Sequence, residues 1–147
     1  MLTVTTEYAL RALSELSRSP RGTAVLGRDL AKTARVPAKY LSKIMLSLRN
    51  AGMVGTTRGL GGGYRLLRSP EAVHLNDVVR IFEGTSSKPT CLMDSTRKCS
   101  DNHPCNAHPR FHDVQMAYHQ FLRDTTLSDL AENGKARTTL EKLAKTN

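Results

Sequence analysis

A mainly α fold, a winged helix-turn-helix with a small two-stranded wing and a long C-terminal dimerisation helix, is predicted by three features of this 147-residue sequence. Apolar residues recur at helical spacing in segments separated by proline and glycine. The third of these segments is followed by a short strand, a glycine-rich tip and a second strand. The net charge of +9 is also lopsided: residues 1–70 carry 12 Lys and Arg against 3 Asp and Glu, whereas residues 71–147 carry 10 of each. A basic half joined to a neutral half is the electrostatic footprint of a polyanion-binding module with a separate second function.

The first helix is expected over residues 5–16, where Ala9, Leu10, Leu13 and Leu16 share one face and Thr5 or Thr6 is available as N-cap. Pro20, Arg21 and Gly22 interrupt it, and Leu26, Leu30, Ala31 and Ala34 mark a short second helix beginning near Gly27. After a turn at Arg35 and Val36, Pro37 stands at the expected first position of a third helix, with Leu41, Ile44, Met45 and Leu48 in one stripe until Gly52. Two helices joined by so short a turn fit a helix-turn-helix.

Opposite that stripe lie Lys39, Ser42, Lys43 and Asn50, flanked by Tyr40 and Arg49, a surface suited to a DNA major groove. Arg28 on the second helix is assigned to the same DNA-binding set. Residues 53–58 and 64–67 then read as the strands of a wing whose tip runs through Gly59, Gly61, Gly62 and Gly63. Arg58 before the tip and Arg65 after it, with Gly61 and Gly62 between, are expected to approach a DNA backbone or a narrow minor groove. The same glycines lack the Gly-Lys-Ser/Thr ending of a phosphate loop, and Tyr64 spoils a dinucleotide-binding pattern.

Leu75, Val78, Val79 and Phe82 define a fourth helix ending near Gly84, followed by a polar linker over residues 85–89. Phe111, Val114, Ala117, Tyr118, Phe121 and Leu122 outline a long amphipathic helix, with Leu127 and Leu130 in a short one after it. Its apolar surface would be covered most simply by a second copy, giving a homodimer. The expected organisation is a DNA-binding domain over residues 1–84, a cysteine-rich loop over 85–110, dimerisation helices over 111–133 and a tail over 134–147. No run approaches the roughly 18 apolar residues of a membrane span, so a cytoplasmic location is expected. No nucleophile–base pair, spaced carboxylate pair or cofactor loop suggests an enzyme.

Cys91, Cys99 and Cys105 are spaced C-x7-C-x5-C, with His108 three residues after the last. An odd number of cysteines in one polar loop argues against a disulfide framework and for metal or redox chemistry. Zinc usually draws on C-x2-C or C-x4-C knuckles, whereas iron–sulfur clusters accept longer loops between thiolates, so the spacing favours [2Fe-2S] or [4Fe-4S] over zinc. A structural zinc site or a thiol-based redox switch is the competing reading. Asp101 and His103 are further donors in the loop.

The sequence resembles the bacterial family of iron–sulfur winged-helix transcriptional regulators of the IscR and NsrR type. The resemblance is carried by residues 6–13 (TEYALRAL), 41–44 (LSKI), 48–52 (LRNAG), 58–66 around GGGYRL, 76–79 (NDVV), the cysteine triad and 126–130 (TLSDL), and it covers nearly the whole chain. It implies a homodimer on a palindromic operator, three cysteines holding a cluster in each subunit, and a fourth ligand that differs among members. Two candidates match: Glu7, reaching from the first helix of the partner subunit, is the preferred one, and His108 the alternative. Each also has a simpler explanation, Glu7 in favourably meeting a helix N-terminus and His108 in facing solvent or capping the helix that follows. The resemblance further implies repression of transcription in response to nitric oxide, redox state or iron status.

Overall fold

A computed structural model of the chain describes residues 2–60, 62–84, 91–94 and 96–131. Gly61, the linker expected over residues 85–89, residues 132–133 of the expected dimerisation segment and the expected tail over 134–147 lie outside the described residues.

Helix α1 (Val4–Arg18) starts before the predicted caps, because Thr3 is the N-cap and its Oγ1 accepts from the Thr6 N–H at 3.3 Å. Thr6 cannot serve, since its fully buried hydroxyl instead donates to Glu83 Oε1 at 2.7 Å. Helices α2 (Gly27–Thr33) and α3 (Ala38–Asn50) follow, joined by a four-residue turn in which Arg35 takes a left-handed φ of 54°. Pro37 caps α3 rather than opening it. The three helices meet over a core of Ala9, Leu13, Leu30, Val36, Ile44, Met45 and Leu48, all buried.

Gly52, at φ 70°, turns the chain out of α3 into β1 (Val54–Thr57), which pairs antiparallel with β2 (Gly63–Leu66) in the register Val54 to Leu66 and Thr57 to Gly63. Val25 extends this wing by one residue, exchanging 2.8 Å backbone hydrogen bonds with Tyr64 in both directions. Gly63 (φ 152°) is required there, because a Cβ would strike the Val25 carbonyl.

A 3-10 turn (Pro70–Ala72) leads into α4 (Leu75–Glu83). Helix α5 (His108–Asp124) begins three residues before its apolar periodicity does: Pro109 needs no hydrogen-bond acceptor in a first turn, and the His108 N–H is taken by the Cys105 carbonyl at 2.9 Å. Thr126 and Asp129 cap one another reciprocally at the start of α6 (Leu127–Ala131). This last helix packs on α1 and the 3-10 turn, with Leu127 fully buried. Backbone bonds from Leu75 N–H to the Thr125 carbonyl and from Leu127 N–H to the Val73 carbonyl, both 2.9 Å, staple it in place. The boundary drawn at residue 84 is thus crossed by the core: α6 returns to the first half instead of extending α5 outward.

Candidate nucleic-acid interface and cysteine site

The stripe that buries Leu41, Ile44, Met45 and Leu48 leaves the opposite side of α3 in solvent, where Lys39, Tyr40, Ser42, Lys43, Arg49 and Asn50 are all exposed. Ser42 donates back to the Ala38 carbonyl at 3.4 Å, a weak bond a base or phosphate could displace. Arg28 projects from the first turn of α2, its side chain 84% exposed and only loosely paired with Asp29 at 3.7 Å. On the wing, Arg58 is exposed beyond β1 and Arg65 half-buried on β2. Gly62 differs from the expectation of an open approach to DNA. It is buried within its own turn, its N–H bonded to the Gly59 carbonyl at 2.9 Å, and a Cβ there would collide with the Thr57 carbonyl. Its missing side chain therefore serves the tight wing turn, while Leu60 at the tip is fully exposed.

Helix α1 is tied to α4 by a contact that the sequence does not signal. The Glu83 carboxylate accepts from the Thr3 N–H at 2.8 Å as well as from Thr6 Oγ1, so the end of α4 supplies a second cap for α1. No local pattern signals a partner some 80 residues away.

The cysteines are free thiols, each partly exposed, on a segment of turns between α4 and α5. Cys91 Sγ lies 4.0 Å from Cys105 Sγ, and Cys99 Sγ lies 3.0 Å from His108 Nδ1. The His108 ring is buried at the start of α5, and its other nitrogen, Nε2, lies 2.8 Å from Asp101 Oδ1. His108 thus neither faces solvent nor caps its helix; a carboxylate orients it toward a thiol. Glu7, in contrast, is exposed on α1 with Arg11 at 3.9 Å.

The two kinds of thiol are set apart electrostatically. The Met93 backbone amide holds the Cys91 thiol below its ordinary value, helped by the Asp94 amide, Cys105 and the Arg97 charge and opposed by partial burial. Partial burial pushes the Cys99 thiol up, reinforced by negative charge at Cys91, Cys105 and Asp101. Among the described residues, no group of three or more His, Cys, Asp or Glu side chains is gathered tightly enough to hold a single metal ion. The donors form two pairs instead.

Helix α5 presents Val114, Met116 and Phe121 to solvent and turns Leu122 inward. Among the described residues no helix is long and apolar enough to cross a membrane.

Comparison with known proteins matches residues 2–133 to the Rrf2 family, described as iron-dependent transcriptional regulators. The chain is 31% identical over 132 residues to the transcriptional regulator NsrR of Bacillus subtilis, covering 90% of each chain. It is 30% identical over 132 residues to NsrR of Shouchella clausii, covering 90% of this chain and 89% of that one. Among solved structures, CymR, the global cysteine regulator of B. subtilis, superposes with a TM-score of 0.74 at 29% identity over 89% of this chain and 95% of that one. The T. potens IscR structure shares the fold, with a TM-score of 0.69 at 22% identity over 95% of this chain and 91% of that one. Helix-turn-helix, wing and whole-length similarity agree, and the chain belongs to the Rrf2 family of DNA-binding transcriptional regulators.

Proposed function

We propose that the chain is a homodimeric repressor whose operator binding is controlled by an iron–sulfur cluster held by Cys91, Cys99 and Cys105. The observation that carries this reading is three partly exposed free thiols on one short segment, with an oriented histidine 3.0 Å from one of them. The fourth ligand is His108 or Glu7 of the partner subunit. The line Asp101–His108–Cys99 supports His108, because metal-bound histidines commonly give their second N–H to a carboxylate. When bound, such a cluster supplies iron that reacts with nitric oxide or oxidants and is lost when iron is scarce. Donation from the three thiolates would draw the segment between α4 and α5 together; a His108 ligand would fix it to the first turn of α5, and a Glu7 ligand would instead tie it to the partner subunit's α1.

In this reading the exposed Val114 and Phe121, which share one face of α5 by their spacing, are covered by the same face of a second copy. Two copies of α3 then enter successive major grooves, with Lys39, Tyr40, Ser42, Lys43 and Arg49 on the bases and phosphates. Arg28, Arg58 and Arg65 lie along the adjoining backbone. The signal is nitric oxide, redox state or iron status.

Anaerobic purification with absorption spectroscopy and iron, sulfide and zinc determined per subunit tests the cofactor. A brown protein with equal iron and sulfide is expected. A colourless protein with stoichiometric zinc, or with no metal, overturns the cluster. A thiol switch is the second reading, favoured by the 4.0 Å approach of Cys91 to Cys105. It predicts a metal-free protein whose DNA affinity changes on reversible oxidation of those two thiols.

A further inference from the structure

Between α1 and the recognition helix α3 runs a line of rings and cations. Tyr8 on α1 and Tyr40 on α3 have centroids 6.1 Å apart with planes tilted by 46°. The Arg11 guanidinium sits 5.7 Å over the Tyr8 ring and the Lys39 ammonium 5.0 Å over the Tyr40 ring. Arg11 is in turn paired with Glu7 at 3.9 Å. Tyr8 is half-buried against the core, whereas Tyr40 remains 47% exposed on the side of α3 proposed to face DNA.

We propose that the Tyr8–Tyr40 pair, clasped between Arg11 and Lys39, positions the recognition helix, so that Tyr8 determines DNA affinity without touching DNA. Ring edges and faces attract in a tilted geometry, and a cation over each ring adds an attraction of its own, so the four groups favour one arrangement of α3 against α1. Lys39 is the last member of the line and a candidate DNA contact. A shift of Tyr8 therefore reaches DNA through the placement of Tyr40 and Lys39. At the other end stands Glu7, so the line joins a candidate sensing residue to the reading surface; this last connection alone rests on the proposed cluster.

The test is a double-mutant cycle on the full-length protein. A duplex selected by the wild-type protein from a random-sequence pool serves as probe, and binding is followed by fluorescence anisotropy. Tyr8→Leu is expected to weaken binding roughly three- to tenfold while unfolding thermally as a single transition, and Tyr8→Trp to retain wild-type affinity. The loss caused by Lys39→Gln should shrink when Tyr8 is already Leu, a non-additivity that general loosening of α1 does not produce. Wild-type affinity for Tyr8→Leu, or strictly additive losses, overturns the proposal. If Tyr8→Leu does not fold, the same cycle with the exposed Arg11→Gln decides in the same way. Iron and sulfide are measured on each variant. A protein without iron removes the cluster reading, while the cycle still judges the ring pair.

Discussion

The half that reads DNA and the segment that carries the cysteines are built on opposite principles. In the first, α1 to α4 and the returning α6 share one core, and Leu13, Leu30, Met45, Leu48, Val78 and Leu127 are fully buried. In the second, no described residue between 91 and 107 is fully buried. Its backbone is held by local bonds, such as Cys91 N–H to the Arg97 carbonyl and Arg97 N–H to the Asp94 carbonyl, at 2.8 and 3.1 Å. Apolar burial therefore defines the first region and contributes little to the second. A segment without a core leaves its final shape to whatever its thiols bind, which suits a sensor attached to a rigid reader.

Substitutions should separate the regions by magnitude. Leu13→Ala is expected to cost the most, about 2 to 5 kcal/mol in urea denaturation, because the surrounding helices cannot close on the void. A loss under about 1 kcal/mol would mean the core is looser than its burial implies. Next comes Glu83→Ala, expected to cost about 1 to 3 kcal/mol because the buried Thr6 hydroxyl and the Thr3 N–H lose their common acceptor. Glu83→Gln keeps an acceptor oxygen and should recover much of that stability; equal losses in the two variants would show that the carboxylate does not bridge α4 to α1.

Lys43→Ala sharpens the comparison from the functional side. It removes no buried group and should leave stability unchanged while lowering the salt dependence of DNA binding by about one unit of slope, read from titrations at several salt concentrations. An unchanged slope and affinity would place Lys43 away from the phosphates. Cys99→Ser should have the smallest effect on the fold, shifting metal-free stability by about 0.5 kcal/mol or less. Iron retention after anaerobic purification should nevertheless fall. A large loss of stability without metal would erase the contrast between reader and sensor.

The local features of the reading half were legible because they depend on neighbours in sequence. Leu41, Ile44, Met45 and Leu48 share a helix face by their spacing alone, and Gly52 adopts the left-handed angle that the turn out of α3 requires. The glycine-rich wing was recognisable for the same reason, although Gly62 proved to serve the turn itself. The cysteine triad was equally visible as a motif. Its pairing was not: nothing in the spacing shows that Cys91 approaches Cys105 while Cys99 approaches His108.

Composition, charge asymmetry and periodicity were sufficient to determine a basic winged helix-turn-helix with a thiol-rich segment behind it, since each is written within a few turns of chain. The tertiary structure alone decided that Glu83 caps α1, that Tyr8 meets Tyr40, that α6 folds back into the first core and that Asp101 aims His108 at Cys99. The first three of these contacts join residues 32 or more positions apart, where no local periodicity operates. The fourth lies within one loop, but it depends on α5 beginning at His108, which the apolar pattern starting at Phe111 did not announce. Secondary structure follows from local sterics and patterning, whereas a polar side chain's partner is chosen by which faces the core brings together.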